Sequence, residues 1–229
     1  MIIAISQRQQ YNKYNAPIDA LEHSYVEHCK SFGIILLPLP NIAKLVQDYF
    51  DRFPIEGIIL TGGEDIDPKR YGENIEWPNI SPLRDQTEKR LLEIAVERKL
   101  PVLGICRGMQ FINVFFSGKL VKNIKEEITA EHPPGEEHSI TIIDERIISI
   151  IGKKEIVVNS FHNQAVTAQT VSPSLGVFAV AKHGIIEGLY HPSLPMVGIQ
   201  WHPERKCAEG EINKILMEAL VRKELWWKR

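Results

Sequence analysis

Four short apolar runs, "MIIAIS", "IILLPLP", "EGIILTGG" and "PVLGIC", recur across the first half of the chain, each separated from the next by a stretch with helical spacing. A strand that is apolar along its whole length must be covered on both faces, and strand–helix alternation with short connections does this with crossover helices on a parallel sheet. The first helical stretch, "APIDALEHSYVEHCKSFG", puts Leu21, Tyr25, Val26 and Cys29 on one stripe and stops at Gly33. "IAKLVQDYFDRF" is the second, and "RDQTEKRLLEIAVERKL" the third, with Asp85 and Glu88 placed like a capping box.

The second half has a different texture. "HSITIID", "EIVVNS", "VFAVAK", "IIEGLYH" and "PMVGIQW" are short strand candidates parted by turn residues, which predicts an antiparallel section. "EGEINKILMEALVRKELWWK" closes the chain as a helix. With no internal repeat, low-complexity segment or linker, the expectation is one α/β domain over residues 1–229. It has a mostly parallel central sheet flanked by helices, with an added antiparallel section.

Composition narrows the function classes. The formal net charge is -2, from 27 basic and 29 acidic residues, so nothing draws the chain to nucleic acid or to an anionic membrane. The apolar runs are far too short to span a bilayer, and "MIIAISQRQQ" lacks the basic start and long apolar core of a signal peptide. Cys29, Cys106 and Cys207 are widely scattered, which argues against a disulfide framework and a zinc knuckle. The expectation is a cytoplasmic, reduced protein that needs no cofactor or metal.

"GICRGMQ", Gly104 to Gln110, falls where the fourth strand gives way to a helix. A thiol at such an elbow meets the first helical N–H groups, and these favour the thiolate. Glycines at 104 and 108 allow a strained turn and leave room for a carbonyl. The logic is that of the G-x-S-x-G elbow, with sulfur in place of oxygen. A thiolate nucleophile needs a proton shuttle, and the shuttle an orienting acceptor. "GIQWHPE" supplies His202 and Glu204, which face the same way if the strand persists through Pro203.

Together the two motifs resemble the class I glutamine amidotransferase superfamily. "LTGGEDIDPKRYGE", "RDQTE" and "VNSFHNQAV" are similar to its branch of γ-glutamyl-γ-aminobutyrate hydrolases and related γ-glutamyl hydrolases (peptidase C26-like). The resemblance implies attack by Cys106 on a γ-glutamyl amide carbonyl, proton transfer by His202, and orientation of the imidazole by Glu204. It implies an oxyanion hole from Arg107 and the Gly62–Gly63 turn, with the N–H groups of Arg107 and Gly63 as donors. It places Gln110 against the glutamyl backbone, and Ser160, Phe161 and His162 at the α-carboxylate. The alternative it leaves open is a glutaminase subunit that passes ammonia to a separate synthetase; a homodimer is compatible with either.

There are departures from the branch. Glu64 stands where a third glycine is common and adds charge beside the oxyanion hole. Ser117-Gly118 replaces a double glycine, and Asn163 a second histidine. "ISQR" resembles members encoded with surface-polysaccharide genes, which implies γ-glutamyl nucleotide amidates such as γ-glutamyl-CDP-amidate as substrates. Glu64 would contact an amine leaving group; Lys69 and Arg70 would contact a phosphate. His132 and His138, with Glu136 and Glu137, read as a solvated loop rather than a metal site. Trp226 and Trp227 read as packing or an oligomer contact.

Overall fold

The computed structural model describes residues 1–128, 135–206 and 210–223. The first half contains β1 (Ile2–Ile5), β2 (Arg8–Tyr11), β3 (Pro17–Ala20), α1 (His23–Lys30), β4 (Ile35–Pro38), α2 (Val46–Arg52), β5 (Ile55–Leu60), α3 (Pro82–Arg98), β6 (Val102–Ile105) and α4 (Arg107–Phe115). The second contains α5 (Ile124–Glu127), β7 (Glu137–Ile142), α6 (Glu145–Ile151), β8 (Glu155–Asn159), β9 (Val166–Thr167), β10 (Gly176–Val180), β11 (Ile185–Tyr190), β12 (Met196–Ile199) and α7 (Gly210–Arg222).

The main sheet runs β4-β1-β5-β6-β12-β11-β10-β7-β8, with β9 on β11. Every ladder from β4 to β12 is parallel, and every ladder from β12 to β8 is antiparallel. This is the expected division between the two halves, with β12 joining them. Two apolar clusters hold the layers together. One includes Ile3, Ile5, Ile59, Trp201 and Leu216; the other includes Ile58, Leu60, Leu92, Met109 and Ile112.

The sheet order makes the site. β5, β6 and β12 are neighbours and parallel, so their carboxyl ends share one edge. From that edge emerge Thr61-Gly62-Gly63, Cys106 and Gln200-Trp201-His202.

Several expectations are corrected. Residues 16–20 are not the start of a helix, because Pro17–Ala20 pairs antiparallel with β2. The Asn12 side chain accepts from the Tyr14 and Ala16 N–H groups and closes the turn between these strands, with Asn15 at φ 57. On α1, Tyr25 and Cys29 are buried, whereas Val26 is exposed. Asp85 and Glu88 are no capping box. α3 begins at Pro82, capped by Ser81, whose hydroxyl accepts from Arg84 N–H at 3.4 Å. The two acids are buried and ion-paired instead. Glu137 and His138 begin β7 rather than a solvated loop. His132, Cys207, Trp226 and Trp227 lie outside the described residues. Among the described residues no helix is long and apolar enough to cross a membrane.

Candidate active site

Cys106 is the residue between β6 and α4, with φ 54 and ψ -107. A side-chain-bearing residue held in this region costs about 1–3 kcal/mol, and the surrounding structure must enforce it. The Cys106 N–H donates to Ile199 O at 2.8 Å, and its carbonyl accepts from Gln110 N–H at 3.2 Å. The strain therefore falls on the cysteine, not on the flanking glycines. Their role is close approach. A Cβ on Gly108 would lie 2.3 Å from Leu60 O, and one on Gly104 2.6 Å from the Gly108 carbonyl carbon.

His202 lies past the end of β12, so the strand does not persist through Pro203, yet the pair forms. Its Nδ1 is 2.6 Å from Glu204 Oε1. Asn159, the last residue of β8, fixes the backbone: its Oδ1 accepts from His202 N–H at 2.8 Å and its Nδ2 donates to His202 O at 2.9 Å. Burial alone would raise the Cys106 thiol, but the charge and hydrogen bond of His202, the charge of His162 and the Arg107 N–H outweigh it and hold it below its ordinary value. Burial alone would lower the His202 imidazole, but Cys106 and Glu204 lift it to about 9. Both shifts favour a thiolate–imidazolium pair. Cys29, equally buried, is pushed up to about 12 by desolvation and the Glu204 charge.

The turn after β5 is gripped from behind by Arg84. Its Nη2 donates to Thr61 O at 2.7 Å and Thr61 Oγ1 at 2.8 Å, and its Nη1 to Gly62 O at 3.0 Å. The same guanidinium binds Glu64 at 2.7 Å and Glu88 at 2.8 Å. Glu88 also binds Arg107, and Arg107 binds Asp85. A buried chain of paired charges thus links the turn to the residue after the nucleophile. Glu64 is turned inward onto Arg84, which corrects its expected place at a leaving group.

Glycine is required twice in this turn. A Cβ on Gly62 would lie 2.7 Å from His202 Cε1. Gly63 has φ +145, a region that favours glycine. The Gly62 N–H donates to the Tyr25 hydroxyl at 3.0 Å.

The remaining candidates sit around the same edge. Gln110 is buried, and its Nε2 donates to Gln164 O at 2.9 Å and Gln200 Oε1 at 3.2 Å. Ser160 is buried and its N–H donates to Glu136 O. Phe161 is 38% exposed and meets the His202 ring edge-on at 5.5 Å. Arg205 also stacks on Phe161, its guanidinium 4.4 Å from the ring centroid. His162 is buried, with Nδ1 2.9 Å from Gln164 O.

Arg8, half exposed, lies against the turn: a Cβ on Gly63 would be 3.3 Å from its Nε. Arg8 and Arg205 share Glu22, each at 3.1 Å. By contrast Lys69 points to Glu76 and Arg70 to Asp85. Sequence reasoning missed Tyr25, Arg84 and Asn159. Only Asn159 carried a local signal, its place in "VNSFH".

A crystal structure of the glutaminase domain of Trypanosoma brucei CTPS with bound acivicin superposes over 98% of this chain and 96% of that one, with a TM-score of 0.65 at 14% identity. A glutamine amidotransferase from Thermotoga maritima covers 97% of this chain and 81% of that one, with a TM-score of 0.59 at 13% identity. The fold is that of the class I glutamine amidotransferases. Within it, residues 1–204 match the Peptidase C26 family, and the chain belongs to that family. The gamma-glutamyl-gamma-aminobutyrate hydrolase of Escherichia coli O157:H7 is 31% identical over 219 residues, 88% of this chain and 85% of that one.

Proposed function

We propose that the chain is a cysteine-dependent hydrolase of γ-glutamyl amide bonds, working as one domain over residues 1–229 in the cytoplasm on a small-molecule substrate. The observation that supports this most is the strained Cys106 elbow beside the His202–Glu204 pair. The Cys106 sulfur attacks the amide carbonyl, and the carbonyl π electrons move to oxygen. The Arg107 and Gly63 N–H groups receive the oxyanion; the Gly62 N–H is taken by Tyr25. Collapse breaks the C–N bond while His202 gives its proton to the leaving nitrogen. His202 then takes a proton from water, which attacks the γ-glutamyl thioester and releases glutamate and the thiolate. Glu204 holds the imidazole with Nδ1–H towards itself.

The family relationship, with a named gamma-glutamyl-gamma-aminobutyrate hydrolase among the relatives, supports the γ-glutamyl group as the acyl part. The inward turn of Glu64 and the position of Arg8 and Arg205 favour an acidic leaving group, such as γ-aminobutyrate or a nucleotide amidate like γ-glutamyl-CDP-amidate. A leaving group held at these arginines contributes binding energy to positioning that free glutamine forgoes.

The test is kcat/KM of the purified chain for glutamine, γ-glutamyl-γ-aminobutyrate, γ-glutamyl-putrescine and a γ-glutamyl nucleotide amidate. An acidic leaving group should give the highest value. Arg8→Gln should lower that value by about tenfold, the scale of one charge-assisted contact, and leave glutamine almost unchanged. Inertness towards all four, with glutaminase activity only when a synthetase is added, would establish the ammonia-supplying subunit instead.

A further inference from the structure

We propose that Glu187 is a positioning residue that holds His162 as a fixed imidazolium acting on the Cys106 sulfur. The proposal rests on reading Cys106 as the nucleophile. Glu187 lies on β11, is completely buried, and is not part of the His202–Glu204 pair. Its Oε1 is 3.6 Å from His162 Nε2 and 3.5 Å from His138 Nε2. His162 Nδ1 faces the Gln164 carbonyl oxygen at 2.9 Å. A carbonyl oxygen only accepts, so Nδ1 carries a proton. Nε2 faces a carboxylate, also an acceptor when ionised. Both ring nitrogens are therefore turned to acceptors, the arrangement that suits the doubly protonated ring.

The proton could reside on the Glu187 carboxyl instead, across a contact longer than a hydrogen bond, and two features oppose that. His138 brings a second ring nitrogen to the same oxygen, which stabilises the anion. Desolvation opposes positive charge on His162, but Glu187 and then the negative sulfur of Cys106 favour it. Burial would raise the Glu187 carboxyl, yet the two imidazoles hold it down to about 2. Glu187 from β11, His138 on β7 acting through Glu187, and Cys106 at the elbow are titratable groups that bear on His162.

A ring with both nitrogens protonated has no lone pair to accept the thiol proton. His162 then adds positive charge at the sulfur, while His202 alone carries the proton. Glu187 matters to the reaction only by keeping that charge in place.

The charge can be read without a substrate. Alkylation of Cys106, followed by peptide mapping, is measured with anionic iodoacetate and with neutral iodoacetamide. In the wild-type chain a fixed cation raises the iodoacetate-to-iodoacetamide rate ratio. Glu187→Gln and His162→Gln should each lower it about tenfold, the double variant no further, and Glu187→Asp should retain most of it. With a γ-glutamyl substrate, Glu187→Gln should move the acid limb of the kcat/KM pH profile to higher pH, because the sulfur loses a positive neighbour. An unchanged ratio in folded Glu187→Gln overturns the proposal. Should that variant not fold, ¹⁵N-histidine NMR of the wild-type protein at pH 8 decides: both His162 nitrogens protonated supports the proposal, and a neutral ring overturns it. A wild-type Cys106 inert to both reagents would instead overturn its reading as nucleophile, while the NMR result still reports on His162.

Discussion

His202 and His162 are both buried, both paired with a buried glutamate, and both bear on the same sulfur, yet the two pairs are wired differently. His202 gives Nδ1 to Glu204 at 2.6 Å and turns its other nitrogen to Cys106, an atom that can give up and take back a proton. His162 turns its nitrogens to a peptide carbonyl and a carboxylate. One ring is left able to exchange a proton and the other is not. What the second nitrogen faces, rather than the presence of a His–Glu pair, separates a proton carrier from a fixed charge.

Substitutions should separate the two pairs by size of effect. His202→Asn removes the proton carrier and should lower kcat by about 10⁶. Glu204→Gln keeps the ring but leaves its orientation and tautomer unsupported, and should cost about 10⁴ in kcat. Glu187→Gln, measured in the same assay, should cost about tenfold in kcat/KM. If Glu187→Gln matched Glu204→Gln in kcat, the distinction between the pairs would collapse. A smaller effect appears in the pH dependence of Cys106 alkylation by iodoacetamide. The lowered thiol keeps its thiolate at pH values below the ordinary cysteine range, so reactivity should persist through neutral pH and fall only in acid. His202→Asn should move that fall upwards, and Cys29, raised to about 12, should stay unlabelled throughout.

The first of the two pairs was legible in the sequence and the second was not, for a physical reason. Cys106, His202 and Glu204 belong to compact motifs at strand ends, where local spacing reports geometry. Glu187, His138 and His162 come from separate strands and a loop, and only the order of β7, β10 and β11 in the sheet gathers them. Arg84 was hidden in the same way, because its targets at Thr61 and Gly62 lie on another element. Asp85 and Glu88 were misread because a spacing of three serves a capping box and a buried helix face equally well. The apolar runs of the parallel half were read correctly as strands; β1, β5 and β6 are buried as a continuous apolar signature implies, whereas β4 is an edge strand with Ile35 exposed. The β2–β3 ribbon carries no such run, and its second strand, Pro17–Ala20, was absorbed into the helix expected from Ala16.

Its buried charges give one stability prediction. Arg84→Met leaves Glu64 and Glu88 without their shared partner and should destabilise the chain by about 3–5 kcal/mol in urea unfolding.

The central claim is that Cys106 becomes acylated by the γ-glutamyl group. Rapid acid quench of the chain during turnover of γ-glutamyl-γ-aminobutyrate, followed by mass spectrometry of the Cys106 peptide, tests it directly. The account predicts a γ-glutamyl thioester on Cys106, absent from Cys106→Ala, which should remain folded and inactive. A γ-glutamyl adduct on another residue, or hydrolysis by Cys106→Ala at the wild-type rate, would contradict it.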